Sequence, residues 1–505
     1  MFHSLESHAD GSIFKYDICI IGSGVAAHAF LSKFLCSNTT PSPKIAVLEG
    51  STNSQGKIHR LANNIVDFPQ EQDLYQGEIS GWIDKNDPGY LIESRQRSFG
   101  GTTNIWSGWC WPLELEDLKE RSLRAGFSWP ISYEDLEFYY LQAQQFCRLG
   151  PYEYENPQYW IEKIKYINLQ SISTENSPFR TRILHFNPGS LNEYYYDSLK
   201  ESSTIDIYSN AHCLSLDRKI NTNGDHEVTT AVVRTLENKV PGKTAYFHAD
   251  RFILAAGAIE TTRLLLLCEL DRINSQIGKN FIEHPYLWTG AKFQLGNIPE
   301  KIKNFYFPTR PISITTRMGI IPTLTPRQEF ITSKGIGNFR ILLGGAAHIP
   351  GTLNISWEQM PNLDSTISLS DALPTDIFGQ KRVKLNHKIS EIDKRTVQII
   401  IKEGQYWLEK WGYAFNFEIP NLEENPWRWN SPGHIVPGNH PMGTTRMSST
   451  PDQGVVDANC RLHAFSNLYI ASSSTFPTGG YANSTFTVIA LALRLGDHIK
   501  KEGFS

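Results

Sequence analysis

The run YDICIIGSGVAAHAFLSKFL, residues 16–35, constrains the fold of this chain more than any other stretch. Ile18 to Ile21 is continuously apolar, the pattern of a strand buried on both faces of a parallel sheet. It breaks at Gly22-Ser23-Gly24 and resumes as an Ala-, Leu- and Phe-rich helix. Glycines there permit a tight turn and let a pyrophosphate approach the backbone at the helix N-terminus. Ala27 takes the third small position, where the helix must lie against the strand. A second strand, KIAVLE, ends on Glu49, whose carboxylate suits the ribose hydroxyls of an adenosine and would repel a 2′-phosphate. The expectation is a dinucleotide site. The spacing does not separate FAD from NAD.

At 505 residues the chain is long enough for two or three domains. A 40% apolar, 20% charged composition is globular, and a net charge of −4 argues against nucleic acid or an anionic membrane as main partner. The seven cysteines are scattered without a C-x-x-C pair and read as reduced thiols. The N-terminus has no apolar signal region, and FTVIALAL is too short to span a bilayer, so a cytoplasmic location and no transmembrane segment are expected. N-x-S/T sequons at Asn38, Asn354 and Asn483 carry little weight without an export signal. Oligomeric state is not readable.

Further along, Gly100-Gly101-Thr102-Thr103-Asn104 offers consecutive N–H groups and small hydroxyls that can wrap a phosphate or the edge of a polar ring. DRFILAAGAIETTRLLLL repeats the strand, small-residue turn and helix pattern, and NLYIASSSTFPTGGYANSTFTVIALALRLGDHIK supplies a last strand, turn and helix. Together with GKNFIEHP, EQMPNLDSTISLS and the segment from His440 to Lys500, these motifs resemble the glucose-methanol-choline (GMC) oxidoreductases, in particular bacterial pyranose-oxidase-like sugar or polyol enzymes. The resemblance implies an α/β fold: a Rossmann-like FAD-binding domain with a second, substrate-binding domain on a mostly antiparallel β-sheet. It places the FAD domain at 1–110, 200–285 and 430–505, and the substrate domain at 111–199 and 286–429.

Carried onto this chain, the resemblance gives Gly22, Ser23, Gly24, Ala27 and Glu49 to the ADP half, with Cys213, Ala256 and Gly257 lining the adenine pocket. Gly100 to Asn104 would follow the pyrophosphate and flavin, with Ser472, Ser484 and Thr485 at the flavin end. Some members carry a flavin-linked histidine just after the position of Asn104; Ile105 stands there, which implies non-covalent FAD. Ser472 replaces the usual glycine or aspartate, and Ser484 a common proline.

The same resemblance makes GNHPMGTTRM the catalytic turn. An alcohol loses a hydride from carbon and a proton from oxygen; imidazole suits the proton, so His440 becomes the acceptor and Asn483 the group that orients the substrate oxygen. Asn483 or Ser484 is also placed to cap the last helix. No zinc spacing, P-loop or G-x-S-x-G occurs. The expected partners are a small alcohol or sugar and oxygen or another electron acceptor. Trp357, Gln359, Trp427 and Trp429 are candidate substrate contacts, and the Pro-, Thr- and Lys-rich stretch 298–340 reads as a loop or lid. A sterol or other non-sugar alcohol, a lyase or photodecarboxylase on the same fold, and a non-catalytic FAD-bound component stay open.

Overall fold

A computed structural model describes residues 1–35, 42–51, 72–82, 89–187, 189, 191–289, 294–295, 298–306, 312–314, 318–343, 353–414 and 435–504. Two large sheets organise them. The first forms around Ser12–Ile21, whose last four residues are shut off from solvent. Ile45–Leu48 pairs with it in parallel on one side, followed by Ile205–Ser209 and Phe2–Ser4. Val240–Leu254 pairs on the other side, also parallel. Its apolar end, Phe252–Leu254, takes Leu468–Ile470 as a further parallel neighbour. Its outer half joins the antiparallel pair His226–Glu237 and His212–Ile220. Sequence-distant strands thus meet in one sheet. The helices Val25–Leu35 and Ser484–Glu502 pack against each other, tied by a 2.8 Å Lys33–Asp497 ion pair.

The second sheet is antiparallel, in the order Ile435–Pro437, Pro285–Thr289, Leu353–Trp357, Phe339–Leu342, Gly319–Pro326, Phe179–Phe186 and Trp109–Cys110. The amphipathic helix Glu391–Lys410, begun by a Ser390–Asp393 capping box, packs on its Ile341 face. The opposite face, carrying Arg340, looks toward the Asn483 end of the last helix.

The stretch 298–340 departs from the expected loop. Among its described residues it contains helices Glu300–Tyr306 and Gln328–Lys334 and the strands Gly319–Pro326 and Phe339–Leu342. Prolines discouraged a strand there. Pro322 and Pro326 stay in full register with Phe179–Phe186, where Ile183, opposite Pro322, donates its N–H to Tyr154 instead. On the other side the strand pairs Phe339–Leu342 only at Leu324–Ile341, so few ladder bonds need the missing N–H groups. Among the described residues no helix is long and apolar enough to cross a membrane, and the described cysteines are free thiols. Cys36, Asn38, Trp427 and Trp429 lie outside the described residues.

Candidate active site

A cleft of about 1530 Å³, counting the part open to solvent, runs from the strand ends Ile21 and Leu48 of the first sheet to Asn439 and His440 beyond Ile435–Pro437. Its near end is the first strand–turn–helix. Gly22 has φ +98°, and a Cβ there would lie 2.7 Å from the Ala255 carbonyl oxygen, so only glycine fits the turn. Ser23 donates its hydroxyl to the Glu49 carboxylate, which also accepts the Ser51 N–H at 2.9 Å. Gly24 bridges to Gly100, bringing the second glycine loop beside the first. Cys213, Ala256 and Gly257 line the same end, and Gly101, Thr102, Ser472, Ser484 and Thr485 continue toward His440.

Other candidates stand behind this lining. Ala27 is fully buried beneath the turn. Thr103 bonds the Gly100 carbonyl at 2.7 Å, and Asn104 reaches Ser98 Oγ at 2.9 Å, so both turn inward and shape the loop. Ile105 is outside the lining and 49% exposed. Trp357 pairs with Phe339 on the sheet face away from Arg340 and is buried in the core. Gln359 accepts from the Glu283 N–H and bonds His387, both at 2.9 Å, and so ties backbone segments together. Neither side chain lines the cleft.

At the far end, Gly438 carries the chain past Tyr286, whose ring a Cβ would meet at 2.4 Å. Asn439 follows in the left-handed region at φ +58°, which turns His440 into the cleft. Buried Glu283 holds this turn, accepting the His440 N–H at 2.7 Å, the His284 N–H at 2.8 Å and the Tyr90 hydroxyl at 2.6 Å. Burial pushes its carboxyl up to about 7.

The hydrogen bonds around His440 have one consistent direction. His284 Nε2 faces the Gly480 carbonyl at 3.0 Å, and a carbonyl only accepts, so this nitrogen carries the proton. His284 Nδ1 is then the acceptor for His440 Nδ1–H at 3.0 Å. At the opposite end, Arg340 can only donate, and does so to Asn483 Oδ1 at 2.7 Å. The Asn483 amide must therefore point its NH₂ at His440 Nε2, 3.1 Å away. His440 Nε2 is left as a lone-pair acceptor. Burial, then His284 and then Arg340 hold the His440 pKa well below the ordinary histidine value; burial and Arg340 set His284 at about 4. Both imidazoles are neutral at pH 7.

Asn483 occupies the N-cap position of the last helix, yet its side chain makes no capping bond, because both amide atoms are spent on Arg340 and His440. The helix start, with Ser484 and Thr485, borders the cleft and presents its positive end there. A positive-φ glycine turn, a carboxylate just past the end of the adjoining strand and an uncapped helix end border one cleft, an arrangement with which an extended dinucleotide is compatible. Glu283, His284, Tyr286 and Arg340 had no role assigned from sequence. GKNFIEHP marked the first two as a motif, while Arg340 arrives only through sheet pairing.

Residues 361–492 match the family model for the C-terminal region of GMC oxidoreductases. Over that stretch the chain is similar to GMC oxidoreductases. Among its relatives, the fructose dehydrogenase large subunit of Gluconobacter japonicus is 27% identical over 273 residues, 50% of this chain and 47% of that one. A 2-methyl-1,2-propanediol dehydrogenase of Mycolicibacterium austroafricanum is 40% identical over 65 residues, covering 13% and 12% of the two chains. The match thus spans about half the first relative's length. A GMC-like fold is shared with a formate oxidase of Aspergillus oryzae RIB40, in a structure concerned with modification of its FAD: TM-score 0.60, 16% identity, 98% of this chain and 99% of that one. Pyridoxine 4-oxidase of Mesorbium loti gives a TM-score of 0.56 at 15% identity, over 96% and 99%.

Proposed function

We propose that this protein is a GMC oxidoreductase that binds FAD non-covalently and oxidises a CH–OH group of a sugar, glycoside or polyol to a carbonyl. The observation that carries the reading is the lone pair of His440 Nε2, oriented by hydrogen bonds from both sides and set at the end of a dinucleotide cleft. FAD, when bound, supplies the hydride acceptor. Gly22, Ser23, Gly24 and Glu49 would hold its ADP half, and the start of the last helix would favour negative charge at the opposite end. His440 Nε2 accepts the hydroxyl proton; the Asn483 NH₂ orients the same oxygen. Arg340 keeps that amide in the donating orientation. Oxygen or another acceptor would take the electrons onward, and the exposed, non-nucleophilic Ile105 supports non-covalent attachment.

Anaerobic mixing with sugars, polyols and simple alcohols tests the reaction. Wild-type protein should lose its yellow colour with at least one, and His440→Ala should slow that step by about 10²–10⁴-fold. Bleaching at the wild-type rate in His440→Ala would remove His440 as the base. Acid precipitation should leave the yellow colour in the supernatant; a yellow pellet would refute non-covalent attachment.

A further inference from the structure

One turn from the stretch 286–429 reaches the cleft. Among the described residues of that stretch, only Asp376, Phe378 and Gln380 line it. They lie between the strands Thr366–Leu369 and Val383–His387, which form a small sheet with Gly77–Gly81. Asp376 shapes the turn from within. One of its carboxylate oxygens accepts the N–H groups of Phe378 and Gln380, both at 2.9 Å, and its own N–H donates to the Gln380 carbonyl at 2.8 Å. Gly379 completes the reversal at φ +77°, in the left-handed region.

The turn is fastened at two points. Arg263, 5% exposed, donates to the other Asp376 oxygen at 2.5 Å and to the Lys381 carbonyl at 2.9 and 3.0 Å. It stands on the helix Gly257–Leu267, which starts at the Ala256–Gly257 corner of the cleft. The Gln380 amide donates to the Leu214 carbonyl at 2.8 Å, one residue past Cys213. Held in this way, the Phe378 ring has its centroid 4.9 Å from that of His212. His212 in turn lies against Gly50, the residue after Glu49, where a Cβ would meet its ring at 3.0 Å. The Phe378 side is therefore the Glu49 end of the cleft. Phe378 is only partly buried, and it lines the cleft together with Leu214, Leu264 and Leu267. A turn linking two short surface strands needs no buried ion pair for its own sake, since such loops are ordinarily left mobile.

We propose that the turn Asp376–Lys381 is a clasp for the adenine of the bound dinucleotide, in which Phe378 offers its ring face to the base. Arg263 and Asp376 are positioning residues that hold the ring in place. The inference rests on the FAD reading above. A purine has two apolar π-faces and a polar rim, so an accessible aromatic ring among leucines suits its faces. The clasp is carried by strands outside the sheet that bears the glycine turn, and it sits at the opposite end of the cleft from His440. It controls how long the cofactor stays, because the cofactor leaves only when the ring gives way.

The test follows FAD release from the purified holoenzyme, as the rise of flavin fluorescence after dilution. Phe378→Ala should release FAD about 5- to 150-fold faster, the range expected when an aromatic stacked on a base is truncated. Its far-UV circular dichroism should match wild type before release. Phe378→Tyr, which keeps the ring, should release at the wild-type rate. A Phe378→Ala preparation already stripped of flavin, beside a flavin-bound Phe378→Tyr, is the same result at its limit. Asp376→Asn should also speed release, and the double variant should be no faster than Phe378→Ala alone, because the aspartate acts through the ring. Three results would overturn the clasp while leaving FAD binding and alcohol oxidation in place: wild-type release in Phe378→Ala, release in Phe378→Tyr as fast as in Phe378→Ala, or additive effects in the double variant. Wild-type protein that purifies without flavin would instead overturn the FAD reading, and the clasp with it.

Discussion

His440 has two nitrogens, and neighbours on both sides decide which one is available. Because Arg340 donates to Asn483, the amide cannot flip without facing one donor with another. The same guanidinium disfavours a proton on His440. Replacing it in Arg340→Gln should therefore raise the His440 pKa. The acid limb of the kcat/KM profile, expected below the ordinary histidine value of about 6.5, should move up toward it. An unmoved limb would show that Arg340 does not set the proton affinity of the base. His440 and Asn483 were legible in the sequence because each sits inside a short motif tied to a turn or a helix start. Arg340 was not, since an arginine in GNFRILL reads as any strand residue until pairing carries it to an asparagine 143 positions away. Trp357 and Gln359 mislead for the complementary reason: tryptophan and glutamine suit sugars, but they are equally useful in a core and in backbone cross-links.

Among the elements, the first strand–turn–helix was the most readable, since its apolar run, glycines and terminal acid all follow from one geometry. Gly22→Ala tests that geometry. At φ +98° the added methyl would be strained and would press on the Ala255 backbone. The variant should purify with little or no bound flavin while keeping its far-UV circular dichroism; full FAD content would contradict the assigned turn. The last helix was legible as a helix but not in its first residue. Asn483 looks like a cap by composition, yet its amide serves the neighbouring histidine and arginine instead. Asn483→Asp, an effective cap elsewhere, should abolish turnover here by turning a donor toward His440 into an acceptor, with little loss of Tm. The strands at 319–326 and 339–342 escaped notice because the prolines of the first and the weak alternation of both hide a pairing set by distant partners.

At the scale of the whole molecule, acid stability follows from buried histidines. His28, His185, His212, His284, His387 and His440 all have pKa values lowered chiefly by burial. Between their folded values and about 6.5 the unfolded chain binds more protons, so their stabilising contribution is lost as pH falls through that window. Glu283, Asp393 and Asp117, raised to about 7, 7 and 6, act oppositely, losing their contribution as pH rises through those values. The histidines outnumber the carboxyls. The urea midpoint should accordingly fall between pH 6.5 and 4.5, and a flat profile would contradict the buried-neutral assignments.

The proton acceptor and its partner are mounted on different scaffolds. His440 follows the edge strand Ile435–Pro437 of the second sheet, whereas Asn483 heads the helix packed against Val25–Leu35. Their 3.1 Å contact, with the 2.7 Å Arg340–Asn483 bond beside it, ties the helix start to the second sheet. A gap the width of one water molecule would open it while leaving each sheet intact. Turnover should then disappear at urea concentrations that leave far-UV circular dichroism and flavin retention unchanged, so the rate itself gauges how firmly the two halves are shut.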